Sequence, residues 1–339
     1  MQAGRSYTLW QTLYWTRKSL FLFLITASVP VILYEILGLK WLTVPWLPIA
    51  LVGTAVAFYL GFKNNSSYER LWEARKIWGA IVNDSRSWTI SIRDFITNEF
   101  AHEKLTDEEM GNIHRRFVHR HIGWLTALRY QLREPKPWEH TDKISNISRK
   151  YLGTYDLNAK FDELSKLLSK EEITYLENKQ NTAAQIISLQ SKDLLKMKSK
   201  GLIDDFRHME LQKILMNFYD HQGKSERIKN FPFPRQYATV NLFFVWLFIL
   251  LVPFGMVNEF DKLGEYFVWM TIPFSIIVSW VFHTMEMIGD FSENPFEGLH
   301  NDVPINQLSR VIEIDLREML DEKDIPEGIQ PVTAYKILV

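Results

Sequence analysis

Apolar residues run almost unbroken from about Ser19 to Phe62 and again from about Val240 to Met285. A short polar break divides each run, Gly38-Leu39-Lys40 in the first and Asn258 through Glu265 in the second. At roughly 1.5 Å of rise per residue, each half is long enough to cross a hydrocarbon core about 30 Å thick as a helix. The pattern therefore predicts four transmembrane helices, and two buried hairpins in one soluble core fit these lengths poorly. The first run is itself span-length and lacks a small-residue cleavage site after it, so it reads as retained and not as a signal peptide.

Between the two runs the chain turns charged without turning loop-like. In YERLWEARKIWGAIVNDSRSW, from Tyr68 to Trp88, Leu71, Trp72, Arg75, Trp78 and Ile81 or Val82 recur at steps of three and four. That is a helical face, and it can prolong the second span as one long helix. Further helical patterns cover Asp107 to Leu132, Leu157 to Leu176, Thr182 to Lys198 and Leu202 to Asp220. Breakers separate them at Glu134-Pro135-Lys136-Pro137, Gly153, Gly201 and Gly223. Phe231-Pro232-Phe233-Pro234 ends the last of these before the second apolar run, because prolines bar a helix from running straight through. Beyond the fourth span, Glu293 to Gly298 reads as a turn, Ile305 to Leu320 as an amphipathic helix, and the tail after Asp321 as irregular. No period-two alternation suggests a sheet. The expected fold is all-α, a multi-pass membrane protein with a large helical cytoplasmic region. Its expected parts are residues 1–62 with the first two spans, 63–235 cytoplasmic, 236–288 with the last two spans, and a C-terminal turn, helix and tail at 289–339.

Composition changes this picture little, because distribution and not the mean carries the signal. There are 39 basic and 40 acidic residues, a net charge of −1, and the charges avoid the apolar runs. Aromatic residues make up 14% of the chain. Several of them, Trp41, Trp46, Trp246, Phe267 and Trp269, stand near span ends, where amphipathic rings favour the headgroup region. Of the lysines and arginines, Arg5, Arg17 and Lys18 precede the first span and Lys63, Arg70, Arg75 and Lys76 follow the second, while the breaks hold only Lys40 and Lys262. The positive-inside tendency then puts both termini and the middle region in the cytoplasm, with the spans in an inner or plasma membrane.

Candidate chemistry is sparse. His114, His119 and His121 cluster within HRRFVHRH, but the interleaved arginines oppose a bound cation, and a solvated basic helix face is the expected reading. Asp107-Glu108-Glu109 and Glu171-Glu172 are placed as helix N-terminal acids. With no cysteine there are no disulfides or thiolate metal sites. No phosphate-binding glycine loop, nucleophile elbow or paired metal signature is present, so neither an enzyme nor a cofactor is expected. The balanced charge leaves no footprint for nucleic acid.

Three segments carry a resemblance. Gly61-Phe62 with the following NNSSYERLWEARKIWG, ERIKNFPFPRQY from Glu226 to Tyr237, and ENPFEGLHNDVPINQLSRVIEIDLREML are together similar to the bestrophin family, most closely to its bacterial and plastid branch. Gly61, Arg70, Trp72, Asn294, Pro295 and Phe296 are the motif residues, and only the stretch from about His102 to Lys200 is generic. The resemblance implies a homopentameric ion channel with one central pore, mostly conducting anions such as chloride, though some bacterial members pass cations. It further implies a pore neck lined by Thr54, Phe58 and Phe62, and a cytoplasmic aperture at Phe206, or at Ile203 if the register slips.

Positions 54, 58 and 62 fall four apart, so they lie on one stripe of a helix that drifts about 40° per step. Taken alone, such a stripe packs as readily against lipid or neighbouring helices; the resemblance is what turns it toward a pore. A narrow ring of phenylalanines offers an ion no substitute for its hydration shell and should dewet, which makes a gate. Aromatic edges favour an anion and faces a cation, so selectivity depends on ring angle.

Thr54 departs from the usual apolar residue and adds a hydroxyl to the neck. The animal members follow their Asn-Pro-Phe turn with an acidic calcium-clasping run, whereas Glu297 to Asp302 is mixed here, so no calcium requirement is expected. Membrane lipid, permeant inorganic ions and copies of the same chain are the expected partners. Val311, Ile312 and Leu316 are expected to seek a neighbouring subunit. A cation-selective channel of the same architecture and a membrane-bound signalling adaptor are the competing readings.

Overall fold

The computed structural model describes residues 6–140, 159–331 and 338; Arg5, the break at Gly153 and the helix start at Leu157 lie outside them. Among the described residues there are ten α-helices and no strand. They are α1 (Leu9–Glu35), α2 (Trp46–Phe95), α3 (Asp107–Arg133), α4 (Lys160–Leu164), α5 (Lys170–Glu177), α6 (Thr182–Ser199), α7 (Asp205–Asn230), α8 (Arg235–Asp261), α9 (Thr271–Phe291) and α10 (Ile305–Glu318). The chain divides into two compact units. One holds α1, the first half of α2, α8 and α9, and the other holds the segments Leu71–Phe231 and Asn294 onward.

In the first unit, α1, α8, α9 and the segment that includes α2 are long and apolar enough to cross a membrane. The first helix starts ten residues before the apolar run, because Thr8 and Gln11 form a reciprocal capping box that nucleates it there. Arg17 and Lys18 are consequently part of its body and not a flank. Pro30 and Pro253 sit inside α1 and α8, a placement tolerated in spans because neighbouring groups re-satisfy the freed carbonyls. Phe23, Ile49, Val56, Leu60, Val245, Phe248, Ile249 and Val252 make the core of this unit. The second span does continue without interruption into the charged sequence, so that α2 is a single helix of 50 residues.

The second unit is organised around α3, α6, α7 and α10 with the latter half of α2, over a core that includes Trp78, Trp88, Phe117, Trp124 and Phe218. Capping boxes Thr106–Glu109 and Ser169–Glu172 start α3 and α5, as the acidic N-terminal turns suggested. The second box also explains why one expected helix over 157–176 is two in its described part. Ser169 begins α5 afresh five residues after α4 ends.

Gly201 ends α6 in the left-handed region (φ +71°), and the Leu202 amide donates back to Met197 O at 3.0 Å. Asp204 then caps α7 by accepting from the Arg207 amide at 2.8 Å, so Leu202 and Ile203 precede the helix instead of opening it. Gly223 does not end α7. An interior glycine costs only about 1 kcal/mol, and its flanking Gln222 and Ser225 are buried.

Two expectations are corrected in this unit. HRRFVHRH is a solvated face only in part: Arg115 and Arg116 are exposed, but Arg120 is buried and paired with Glu172 and Asp193, and His121 is enclosed by Trp88, Trp124 and Phe218. The cause is the central position of α3, which packs against other helices on more than one side. Likewise Ile312 and Leu316 need no neighbouring subunit, since both are fully buried in the core of their own; Val311 alone is exposed.

Candidate functional site: the outward stripe of α2 and its supports

Along the first half of α2, Ile49, Gly53, Val56, Leu60, Lys63 and Ser67 are buried at steps of three and four, which draws one inward line down the helix. Counting about 100° per residue, the line through Thr54, Phe58 and Phe62 is centred about 180° away. All three are exposed, Phe58 by 78% and Phe62 by 53%. The stripe singled out by sequence is therefore the side of α2 that its own chain leaves bare.

The inward line is held close by small residues. A Cβ added at Gly53 would stand 2.6 Å from the Phe248 ring, and one at Gly255 would stand 2.6 Å from Ile49 Cδ1. Glycine at these positions lets α2 and α8 approach, the usual device where helices cannot be driven together by water. Phe62 meets the tilted ring of Tyr237 of α8, with ring centroids 6.0 Å apart, and Tyr59 meets Phe244 edge to face at 5.8 Å. The Thr54 hydroxyl donates to Ala50 O at 2.9 Å, so its proton is committed to the helix and only oxygen lone pairs remain outward.

One feature escaped the sequence reading. Lys63, counted there as a flanking charge, is 2% exposed and pairs with Glu286 of α9 at 2.5 Å, with Asp290 at 3.9 Å. Asn241 of α8 donates to the second oxygen of Glu286. The available signal is a glutamate eight residues before the Asn-Pro-Phe turn, directly after the apolar run and still within α9, where an isolated carboxylate is costly.

Of the motif residues, Arg70 donates from Nε to the Glu293 carbonyl at 2.9 Å, and Arg235 pairs with the buried Glu293 carboxylate. Gly61 lies on the exposed side of α2, with nothing within 4 Å of an added Cβ. Trp72 is half-exposed.

In the second unit, Asn294, Pro295 and Phe296 form a structural turn. Phe296 is buried, its carbonyl accepts from Arg133 Nη1 at 3.0 Å, and Asn294 Nδ2 donates to Glu297 Oε1 at 2.7 Å. Asp302 Oδ2 accepts the amides of Gly298 and Leu299 at 2.7 and 2.9 Å, and burial pushes this carboxyl up to about 6. His140 lies 3.1 Å from Glu297, and Lys229 pairs with Glu139. Burial raises the Glu139 carboxyl and lowers the Lys229 ammonium from their ordinary values. The acids near the turn are thus engaged by protein donors, and no group of three metal-ligating side chains stands together among the described residues.

Of the two aperture alternatives, Phe206 at the start of α7 is 83% exposed, whereas Ile203 is 2% exposed and part of the core. Of the two, only Phe206 is open at the surface of its own chain.

The chain matches the family model described as Bacterial/Fungal Bestrophin protein over residues 15–318. It is 27% identical over 317 residues to the voltage-dependent anion channel-forming protein YneE of Escherichia coli K12, covering 94% of this chain and 90% of that protein. It is 30% identical over 280 residues to the voltage-dependent anion channel-forming protein RSc3414 of Ralstonia nicotianae, covering 82% and 78%. The fold is similar to that of a bacterial bestrophin homolog from Klebsiella pneumoniae, with TM-score 0.73 and 24% identity over 90% of this chain and 98% of that one. A match across nine-tenths of the chain leaves one assignment: the chain belongs to the bestrophin family, in its bacterial and fungal branch.

Proposed function

We propose that the chain is the subunit of an anion channel, five copies of which enclose one pore with Thr54, Phe58 and Phe62 at its neck. The observation that carries this reading is the bare stripe of α2 lying opposite the line that packs into the subunit. A helix with one face buried at home and an aromatic stripe directly opposite suits a position around an axis. Phe58 and Phe62 supply a dry constriction that resists a hydrated ion until it widens. Phe206 supplies a second narrowing at the start of α7, and both chain termini share the cytoplasmic side with the charged unit. The names of the curated relatives favour anions and a response to voltage.

The test is a bilayer holding the purified protein under a salt gradient. Wild type should conduct with a reversal potential toward that of the anion, and Phe58→Ala with Phe62→Ala should raise the conducting fraction severalfold. An absence of current, or current indifferent to the double substitution, overturns the reading. Cross-linking in detergent should give a ladder ending at five.

A cation-selective neck is the second reading, favoured by one observation. With the hydroxyl proton of Thr54 given to Ala50 O, a ring of five such residues would present acceptors only, which suit cations. Thr54→Val keeps the shape and removes those lone pairs. If it moves the reversal potential toward the anion value, Thr54 sets part of the selectivity.

A further inference from the structure

Charged side chains inside an apolar helix bundle are costly and tend to mark function. In the unit that holds the four spans, Lys63 of α2, Glu286 of α9 and Asn241 of α8 join three helices through one buried cluster. Both charged side chains are at most 5% exposed. Their position is specific, because Lys63 directly follows Phe62. One residue apart on a helix means about 100° of rotation, so the ring of Phe62 stands outside while the ammonium of Lys63 points into the bundle.

The backbone of α9 also lies against the next residue of α2: a Cβ at Gly289 would come within 2.3 Å of Asn64 Oδ1. Behind Thr54 and Phe58 the inward line is apolar or glycine (Gly53, Val56, Leu60), so its register there is held by packing alone. Behind Phe62 charge is added to packing, because any turn of α2 that carries Phe62 away also pulls Lys63 from Glu286 and strands two charges.

We propose that Lys63, Glu286 and Asn241 are positioning residues that lock the direction in which Phe62 faces, so that the cluster must open for the Phe62 end of the neck to change state. This rests on the reading of Thr54, Phe58 and Phe62 as a neck. A buried ion pair adds little net stability against a well-packed apolar replacement, yet it is sharply selective for one helix register. Such a group makes a gate two-state instead of continuously adjustable.

The chain contains no cysteine, so a single Phe62→Cys reports its own facing through its rate of reaction with a charged, water-soluble thiol reagent. That readout needs no current. Adding Glu286→Gln to Phe62→Cys should change the rate at least about tenfold, the shift expected when one partner of a buried pair is lost. The exchange Lys63→Glu with Glu286→Lys should instead bring the rate back toward that of Phe62→Cys by itself, and Lys63→Arg, which keeps the pair, should leave it there. An unchanged rate with Glu286→Gln overturns the lock, and so does a rate changed equally by the exchange and by Lys63→Arg, since misfolding alone would produce it. In the bilayer, Glu286→Gln in the native chain should shift the open fraction in parallel and leave the reversal potential unmoved, because the pair does not face the ion path. A wild type that carries no current refutes the channel reading, while the thiol rates still judge the lock.

Discussion

Helices α10 and α8 both bury one side, yet only α10 declares that side in its sequence. Ile305, Ser309, Ile312 and Leu316 are buried on one line of α10, and its charged residues lie elsewhere on the circumference. Helix α8 is apolar nearly all the way round, and its buried residues include Asn241, Phe248, Val252 and Gly255 among equally apolar exposed ones. In the charged unit, polarity separates inside from outside. In the apolar unit it separates nothing, and the inside is marked by small residues that let backbones meet and by the few polar groups that find partners. The rule for reading a helix therefore changes with the unit in which it is buried.

The strongest challenge to this contrast lies at a polar residue in the charged unit. His121 donates or accepts at Ser85 Oγ, 2.8 Å away, and burial holds its ring neutral down to about 3, well below the 6.5 of an ordinary histidine. The unfolded chain therefore takes up a proton below pH 6.5 that the fold refuses. Stability is full above pH 6.5 and is lost as pH falls toward 3, by up to about 5 kcal/mol at roughly 1.4 kcal/mol per unit. Thermal unfolding of the detergent-solubilised protein as a function of pH measures this, and His121→Phe should flatten the slope over that window.

A smaller effect sharpens the apolar side. Gly255→Leu drives a side chain into Ile49 and Trp46, where overpacking costs about 1–3 kcal/mol, and the melting temperature should drop accordingly. Leucine at exposed, apolar Leu250 is already tolerated in the same helix, so hydrophobicity is not what excludes it. Thr106→Ala gives the smallest change. It removes the hydroxyl that caps α3 at Glu109 N, at a cost of about 1 kcal/mol read as a modest fall in melting temperature. If Thr106→Ala proved as damaging as Gly255→Leu, local helix signals would outweigh packing and the contrast between the units would fail.

These differences explain what could be read ahead of the structure. The four spans, the uninterrupted α2, the acidic helix starts and the bend at Phe231 to Pro234 follow from length, hydropathy and backbone chemistry that act within a few residues. The burial of Arg120 and His121 is not legible in HRRFVHRH, because a basic run looks the same whether solvated or paired, and Arg120 finds Glu172 and Asp193 only when α5 and α6 fold against α3. Lys63 reads as a flank in sequence because its partner Glu286 is more than two hundred residues away.

Sequence by itself determined that the chain is all helix, that four segments are long and apolar enough for a bilayer, and which residues form the Thr54–Phe58–Phe62 stripe. Those depend on near-neighbour spacing. Tertiary structure alone decided that this stripe is the bare side of α2, that Ile203 is buried while Phe206 is exposed, and that a charged cluster lies behind Phe62. Facing is a matter of which surfaces meet, and in a helix that is apolar on every side only its neighbours can settle it.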